Sequence, residues 1–115
     1  MDVKARIDNM KDIPIKDKMP ELDLALEAAV KAGDAIMKIY QTDFSSDTKD
    51  DDSPITEADI ASNNIINEIL EKSGHYILSE EDADDKTRLN ENTLWIVDPL
   101  DGTSDFIDKT GEFTV

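Results

Sequence analysis

A four-residue apolar run, Leu94 to Val97, stops at Asp98-Pro99-Leu100-Asp101-Gly102-Thr103, and this junction constrains the chain more than any other stretch of it. A short apolar run bounded by turn residues predicts a buried strand. Asp98 and Asp101 stand three apart in a turn whose first step Pro99 stiffens, so two carboxylates can converge on one point without a flexible linker between them. Hard divalent cations are bound in this way: magnesium takes one or two carboxylates, keeps part of its water and completes its shell with phosphate oxygens. Gly102 lets backbone approach a ligand closely, and Thr103-Ser104-Asp105-Phe106-Ile107 predicts a helical turn whose free amides face an anion. Metal and phosphate sites would then adjoin. An acidic strand-to-turn exit, where Asp and Gly are common, accounts for the same spacing without a ligand, and residue types alone leave both readings open.

Composition bounds what the remainder of the chain can add. A chain of 115 residues makes at most one domain, and such a chain buries about two-thirds of its unfolded surface. Its 38% hydrophobic residues, gathered into two long periodic segments, suffice for a core. There is no cysteine, so disulfides and thiolate sites are excluded and any metal must be held by oxygen. No apolar run has the length of a signal peptide or a membrane span, which predicts a soluble, cytoplasmic protein with no membrane partner. A formal net charge of −16 repels polyanions, so no nucleic-acid partner is expected. Cations held by the carboxylates would reverse the local sign and make the acidity compatible with a small anionic substrate.

Residues 1–20 differ from the rest. They carry five basic residues against four acidic ones and are interrupted by Pro14 and Pro20; they read as a mobile leader. Leu22, Ala25, Leu26, Ala29, Ile36 and Tyr40 recur at three- and four-residue intervals and predict an amphipathic packing helix from Glu21 to about Gln41. Thr42 to Ser53 is polar, includes Asp50-Asp51-Asp52, and predicts an exposed loop. Thr56 with Asp59 three residues on has capping-box spacing; it opens a second helix with an apolar stripe of Ala58, Ala61, Ile65 and Ile69, which Ser73-Gly74 ends. A cap bond is a complete structural account of Asp59. His75 to Leu78 predicts a short strand followed again by acid, Ser79-Glu80-Glu81-Asp82, which in isolation reads as solvated surface. His75, the only histidine, is expected partly buried at a strand start and is given no role. Residues 83–93 read as a charged surface loop from which Lys86 and Arg88 could approach a substrate.

Asp98-Pro99-Leu100-Asp101-Gly102-Thr103 resembles the D-P-[IL]-D-G-T signature of the inositol monophosphatase superfamily, magnesium-dependent and lithium-sensitive phosphomonoesterases. Lys49 to Asp59 (KDDDSPITEAD), Leu78 to Asp82 (LSEED) and Gly111 to Val115 (GEFTV) are most similar to its 3'(2'),5'-bisphosphate nucleotidase branch, and the likeness runs in the family's order from about Leu22 to Val115. The resemblance implies removal of the 3'-phosphate of 3',5'-bisphosphate nucleotides such as adenosine 3',5'-bisphosphate, with two or three Mg2+ ions in the complete enzyme. It implies Glu80, Asp98 and the Leu100 carbonyl at the first ion, and Asp98 and Asp101 at the second. Asp59 facing Thr103 would orient the attacking water, so that Asp59, Thr103 and Glu80 form the catalytic set, while Gly102, Thr103 and Ser104 would bind the substrate phosphate. The implied partner is a small phosphorylated substrate, with a homodimer left open.

Two departures set the alternatives. The nucleotidase branch usually has Lys-Glu after D-G-T where this chain has Ser104-Asp105, which keeps an inositol monophosphatase or a fructose-1,6-bisphosphatase-type sugar phosphatase in view. Family members are longer, and their second half brings a further Asp ligand in a W-D segment, whereas the only Trp here is Trp95. An inactive acidic cation-binding or interaction fragment is thus the alternative of another class. The expected fold is α+β: two N-terminal helices packed on an antiparallel sheet with strands at 75–79, 94–98 and 112–115, the N-terminal part of the layered α/β sugar-phosphatase fold. Phe113 to Val115 reads as an unfinished strand, so residues 21–115 are expected to be an N-terminal metal-dependent phosphatase domain, incomplete at its C-terminal end.

Overall fold

A computed structural model describes residues 20–51 and 54–115; the leader expected at residues 1–20 lies outside them but for Pro20, as do Asp52 and Ser53 of the acidic loop. Helix α1 (Pro20–Tyr40) opens on a proline, whose missing N–H costs nothing in a first turn. It buries Leu26, Ala28, Ala32 and Ile36. Ala28 and Ala32 are small enough to let a second helix lie close, and they share one apolar cluster with Ile66, Ile69 and Leu70 of α2 (Glu57–Leu70). Thr56 caps α2 in the predicted capping box. The chain then tightens into a 3-10 turn, Glu71–Ser73, and leaves it through Gly74 at φ 74°.

The segment read as an exposed loop is in part a hairpin. Strand β1 (Ser46–Thr48) pairs antiparallel with β2 (Pro54–Thr56), Ser46 opposite Thr56. Three-residue strands are too short to show a period, and β1 is exposed throughout, so it has no apolar signature to read.

The main pair differs from the expectation in a way that matters for the site. Strands β3 (Tyr76–Ser79) and β4 (Leu94–Val97) run parallel, not antiparallel, in the register Tyr76 to Leu94 through Ser79 to Val97. A parallel pair needs a crossover of a dozen or more residues, and residues 80–93, with their 3-10 turn at Thr87–Asn90, are long enough to be one. The strand expected at 112–115 reduces to one antiparallel bridge, Asp101 with Thr114, whose two bonds measure 2.8 and 3.0 Å. Both helices and both pairs of strands nevertheless make an α+β arrangement.

Helix α3 (Thr103–Ile107) follows the signature turn. Its Phe106 is fully buried, with ring centroids 5.1, 4.6 and 5.0 Å from those of Tyr40, Phe44 and Phe113. Leu100, Ile36 and Ala58 complete this second cluster, which fixes the signature turn to both long helices. No helix among the described residues is long and apolar enough to cross a membrane.

Candidate active site

Parallel strands finish at the same end, and that places the acids. Ser79 stands opposite Val97, and the Glu80 amide continues the ladder to the Val97 carbonyl at 3.0 Å, so Glu80 and Asp98 leave the sheet side by side. In an antiparallel pair they would have emerged about 13 Å apart, the length of a strand of this size. The hydrogen bond with Asp98, then burial and the Asp98 charge, hold the Glu80 carboxyl above the usual carboxylate range, while Lys49 pulls the other way. Asp98 also turns one oxygen back to accept from the Leu100 amide at 3.3 Å, which bends the chain into the signature turn.

Lys49 occupies the flank of this pair. Its Nζ lies 2.9 Å from Glu81 Oε1 and 3.8 Å from Glu80 Oε1. Desolvation lowers the Lys49 pKa, but its bond to Glu81 and the charges of Glu81, Glu80 and Asp59 more than offset it, and the ammonium is held above its ordinary range. Glu81, read from sequence as a neighbour, has a side chain only 5% exposed and bound to Lys49. Lys86 and Arg88 turn to Asp84, at 3.5 and 2.9 Å, and not to the acids. His75 is partly buried as expected and meets Glu21 Oε1 at 3.2 Å.

Asp59 proves to be a cap and more. It is 0% exposed, and one oxygen accepts from the Thr56 amide at 2.9 Å and the Thr56 hydroxyl at 2.7 Å. The other accepts from the Thr103 hydroxyl at 2.9 Å. Thr103 Oγ1 also lies 3.2 Å from the Leu100 carbonyl, which brings that carbonyl, Asp59 and Thr103 to one point beside the acidic pair. Gly102 is required twice over: its φ is 87°, and an added Cβ would stand 2.8 Å from the Glu112 carbonyl oxygen. Ser104 is exposed in the first turn of α3.

Among the described residues no three of Asp, Glu and His come together as a ready-made metal cage. Asp101 lines the same groove as Asp98, a space of about 490 Å³ whose other walls include Ala25, Ala29, Trp95 and Ile96, but its carboxylate forms no trio with Glu80 and Asp98. This donor set fits magnesium, which takes one or two carboxylates and leaves the remaining positions to water and phosphate. The raised pKa of Glu80, set against Asp98, marks where positive charge is wanted.

Four contributors escaped the sequence reading. Lys49 lies in a polar stretch with no period. Counted from Asp59, Ser62 and Asn63 follow at three and four residues and Asn67 four beyond Asn63, the steps of a core stripe, and a run of short polar residues at that spacing beside an apolar face was the available signal. Ser62 Oγ donates to the Pro99 carbonyl at 2.6 Å, while Asn63 and Asn67 both donate to Asp82 at 2.9 Å.

Known proteins share this fold. The chain is similar to the 3'(2'),5'-bisphosphate nucleotidase CysQ of Shigella flexneri, 44% identical over 99 residues, and to that of Escherichia coli K12 at 43%; each alignment covers 82% of this chain and 40% of the relative. It thus spans about 40% of the length of these curated relatives. Among solved structures, CysQ from Bacteroides thetaiotaomicron, a bacterial member of the inositol monophosphatase family, superposes with a TM-score of 0.65 at 46% identity over 78% of this chain and 34% of its own. The extragenic suppressor protein suhB from Bartonella henselae superposes at 0.70 with 26% identity, over 83% and 38%. The inositol monophosphatase family model matches residues 17–115, a span that takes in every element described above, and the chain accordingly belongs to that family.

Proposed function

We propose that the full-length protein is a magnesium-dependent phosphomonoesterase that removes the 3'-phosphate of 3',5'-bisphosphate nucleotides such as adenosine 3',5'-bisphosphate. The observation that carries the reading is the convergence of Glu80 and Asp98 at the shared end of a parallel pair, beside a Thr103 hydroxyl fixed by buried Asp59. The nucleotidase choice draws support from the CysQ relatives.

Each residue has a role in this reading. Glu80, Asp98 and the Leu100 carbonyl would hold the first cation, and Asp98 with Asp101 a second. Bound there, magnesium neutralises phosphate charge and lowers the pKa of water. Asp59 takes the Thr103 proton in a hydrogen bond, which leaves the lone pairs of Thr103 Oγ1 to accept from and orient the attacking water. The first amides of α3 have no partner within the helix, and in this reading Gly102, Thr103 and Ser104 donate to phosphate oxygens.

Phosphate release by the full-length protein tests this. Adenosine 3',5'-bisphosphate should be hydrolysed with higher kcat/KM than inositol 1-phosphate, only with magnesium present, and with inhibition by lithium. Preference for the inositol ester would favour the reading to which Ser104-Asp105 points and leave the phosphatase class standing. Hydrolysis of neither would favour a cation-binding module.

A further inference from the structure

The polar stripe of α2 divides its work among separate loops. Asp59 holds Thr103, Ser62 holds Pro99, and Asn63 and Asn67 hold the turn that carries Glu80. Asn63 is the only one of these that spends both ends of its side chain on that turn. It is 6% exposed; its Nδ2 donates to Asp82 Oδ1 at 2.9 Å, and its Oδ1 accepts from Ser79 Oγ at 2.5 Å. An ionised carboxylate only accepts, so the amide nitrogen must face Asp82 and the amide oxygen Ser79. Asn67 adds a 2.9 Å bond to Asp82 Oδ2, but among the described residues its Oδ1 finds no hydrogen-bond partner. The turn is closed on itself by the Asp82 amide to the Ser79 carbonyl at 3.1 Å and by the Glu81 amide to Ser79 Oγ at 3.3 Å. Both of its ends are therefore tied to one buried side chain, and Glu80 projects between them toward Asp98.

We propose that Asn63 is a positioning residue for Glu80: by holding Ser79 and Asp82 it sets Glu80 against Asp98 and so governs the affinity of that pair for a divalent cation. The inference rests on the reading of Glu80 and Asp98 as cation ligands and adds a residue outside that set. Partners that orient a ligand without touching the ion typically carry 10–100-fold in metal affinity, and an effect in about that range is expected here.

The test is magnesium binding to the full chain by titration calorimetry, at a temperature where circular dichroism shows each variant folded. Asn63→Ala should weaken binding by about 10–100-fold. A role confined to stability would lower the unfolding temperature and leave the affinity of the folded protein unchanged, and that result overturns the proposal. An exchange pair gives the second arm. Asn63→Asp alone sets two carboxylates face to face and should lose affinity, as should Asp82→Asn alone. Combined, they re-form every bond: Ser79 donates to the new carboxylate, the new amide donates to it as well, and Asn67 donates to the new amide oxygen. The pair should recover most of the affinity, and recovered folding without recovered affinity overturns the proposal even if Asn63→Ala does not fold. Asp98→Asn separates the two levels. Lost binding there beside wild-type binding in Asn63→Ala removes the positioning role alone, whereas wild-type binding in Asp98→Asn removes the ligand reading and this inference together.

Discussion

Asp59 has two carboxylate oxygens and assigns one to the helix cap and one to Thr103, which makes its substitution informative. An asparagine there has a single acceptor and must abandon either the Thr56 amide or the Thr103 hydroxyl. Asp59→Asn should therefore cost about 1 kcal/mol in denaturant unfolding, the usual worth of a cap, and lower turnover by on the order of 10²-fold with little change in substrate affinity. Thr103→Ala should give a similar kinetic loss, and the double variant should be little worse than either single one, because in the proposed mechanism both act on the same water. Multiplicative losses would separate the two residues. Glu80 makes a prediction about pH. Its folded pKa is raised, so the folded state binds the proton more tightly than the unfolded chain does, and the Glu80–Asp98 contact stabilises the fold below the ordinary carboxylate range. That stability is lost as pH rises through the range up to the folded value. Glu21, Asp84 and Asp85 have lowered values and act in the opposite sense, so the effect must be read as a difference. In chelator, wild type should gain stability over Glu80→Gln on acidification from pH 7, and a difference that does not vary with pH would show that Asp98 and burial do not raise the Glu80 pKa.

At the scale of elements, the signature turn works because three supports meet under it. Phe106 and Leu100 seat it in the aromatic cluster, Ser62 holds the Pro99 carbonyl, and the bridge from Asp101 to Thr114 brings Glu112 across Gly102. Gly102→Ala needs both a left-handed backbone in a residue with a Cβ and a retreat of the Glu112 carbonyl, which is backbone and cannot swing aside. Thermal or denaturant unfolding should show a loss of about 1–3 kcal/mol. A neutral result would mean that the segment from Thr110 onward moves freely away from the turn. The two helices, the Thr56–Asp59 cap and the acid at each strand end were legible in the sequence, since each rests on local period or spacing. Strand direction was not. Four-residue runs such as Tyr76–Ser79 and Leu94–Val97 carry no mark of orientation, and the decision lies in the long crossover between them. The hairpin at Ser46–Thr48 and Pro54–Thr56 was hidden for a related reason, because three-residue strands are too short to show a period and the first is exposed throughout. Asp59 and Glu80 were placed through family resemblance, whereas Lys49, Ser62 and Asn63 depend on contacts between segments distant in sequence, as in the pair Lys49 and Glu81.

At the scale of the whole molecule the governing quantity is charge, 28 acidic residues against 12 basic ones. Like charges at this excess repel one another in the compact state, and salt screens them over a Debye length of about 10 Å at 0.1 M. Any salt should therefore raise the unfolding temperature, and a rise with magnesium is by itself no sign of a site. The distinction lies in what remains at equal ionic strength. Screening is indifferent to the identity of the cation's ligands and grows smoothly with concentration; a site adds RT ln(1 + [L]/Kd), about 2.7 kcal/mol when magnesium stands 100-fold above its Kd. For a chain of this size that is an excess on the order of 10 °C over sodium chloride of matched ionic strength. Asp98→Asn removes one proposed ligand and only one of the 28 negative charges, so it should abolish the excess while leaving the sodium chloride dependence nearly intact. Scanning calorimetry of both proteins in both salts decides the matter. A magnesium excess that survives in Asp98→Asn would assign the stabilisation to the diffuse acidity of the surface, and the pairing of Glu80 with Asp98 would then be a feature of the fold without a cation to serve.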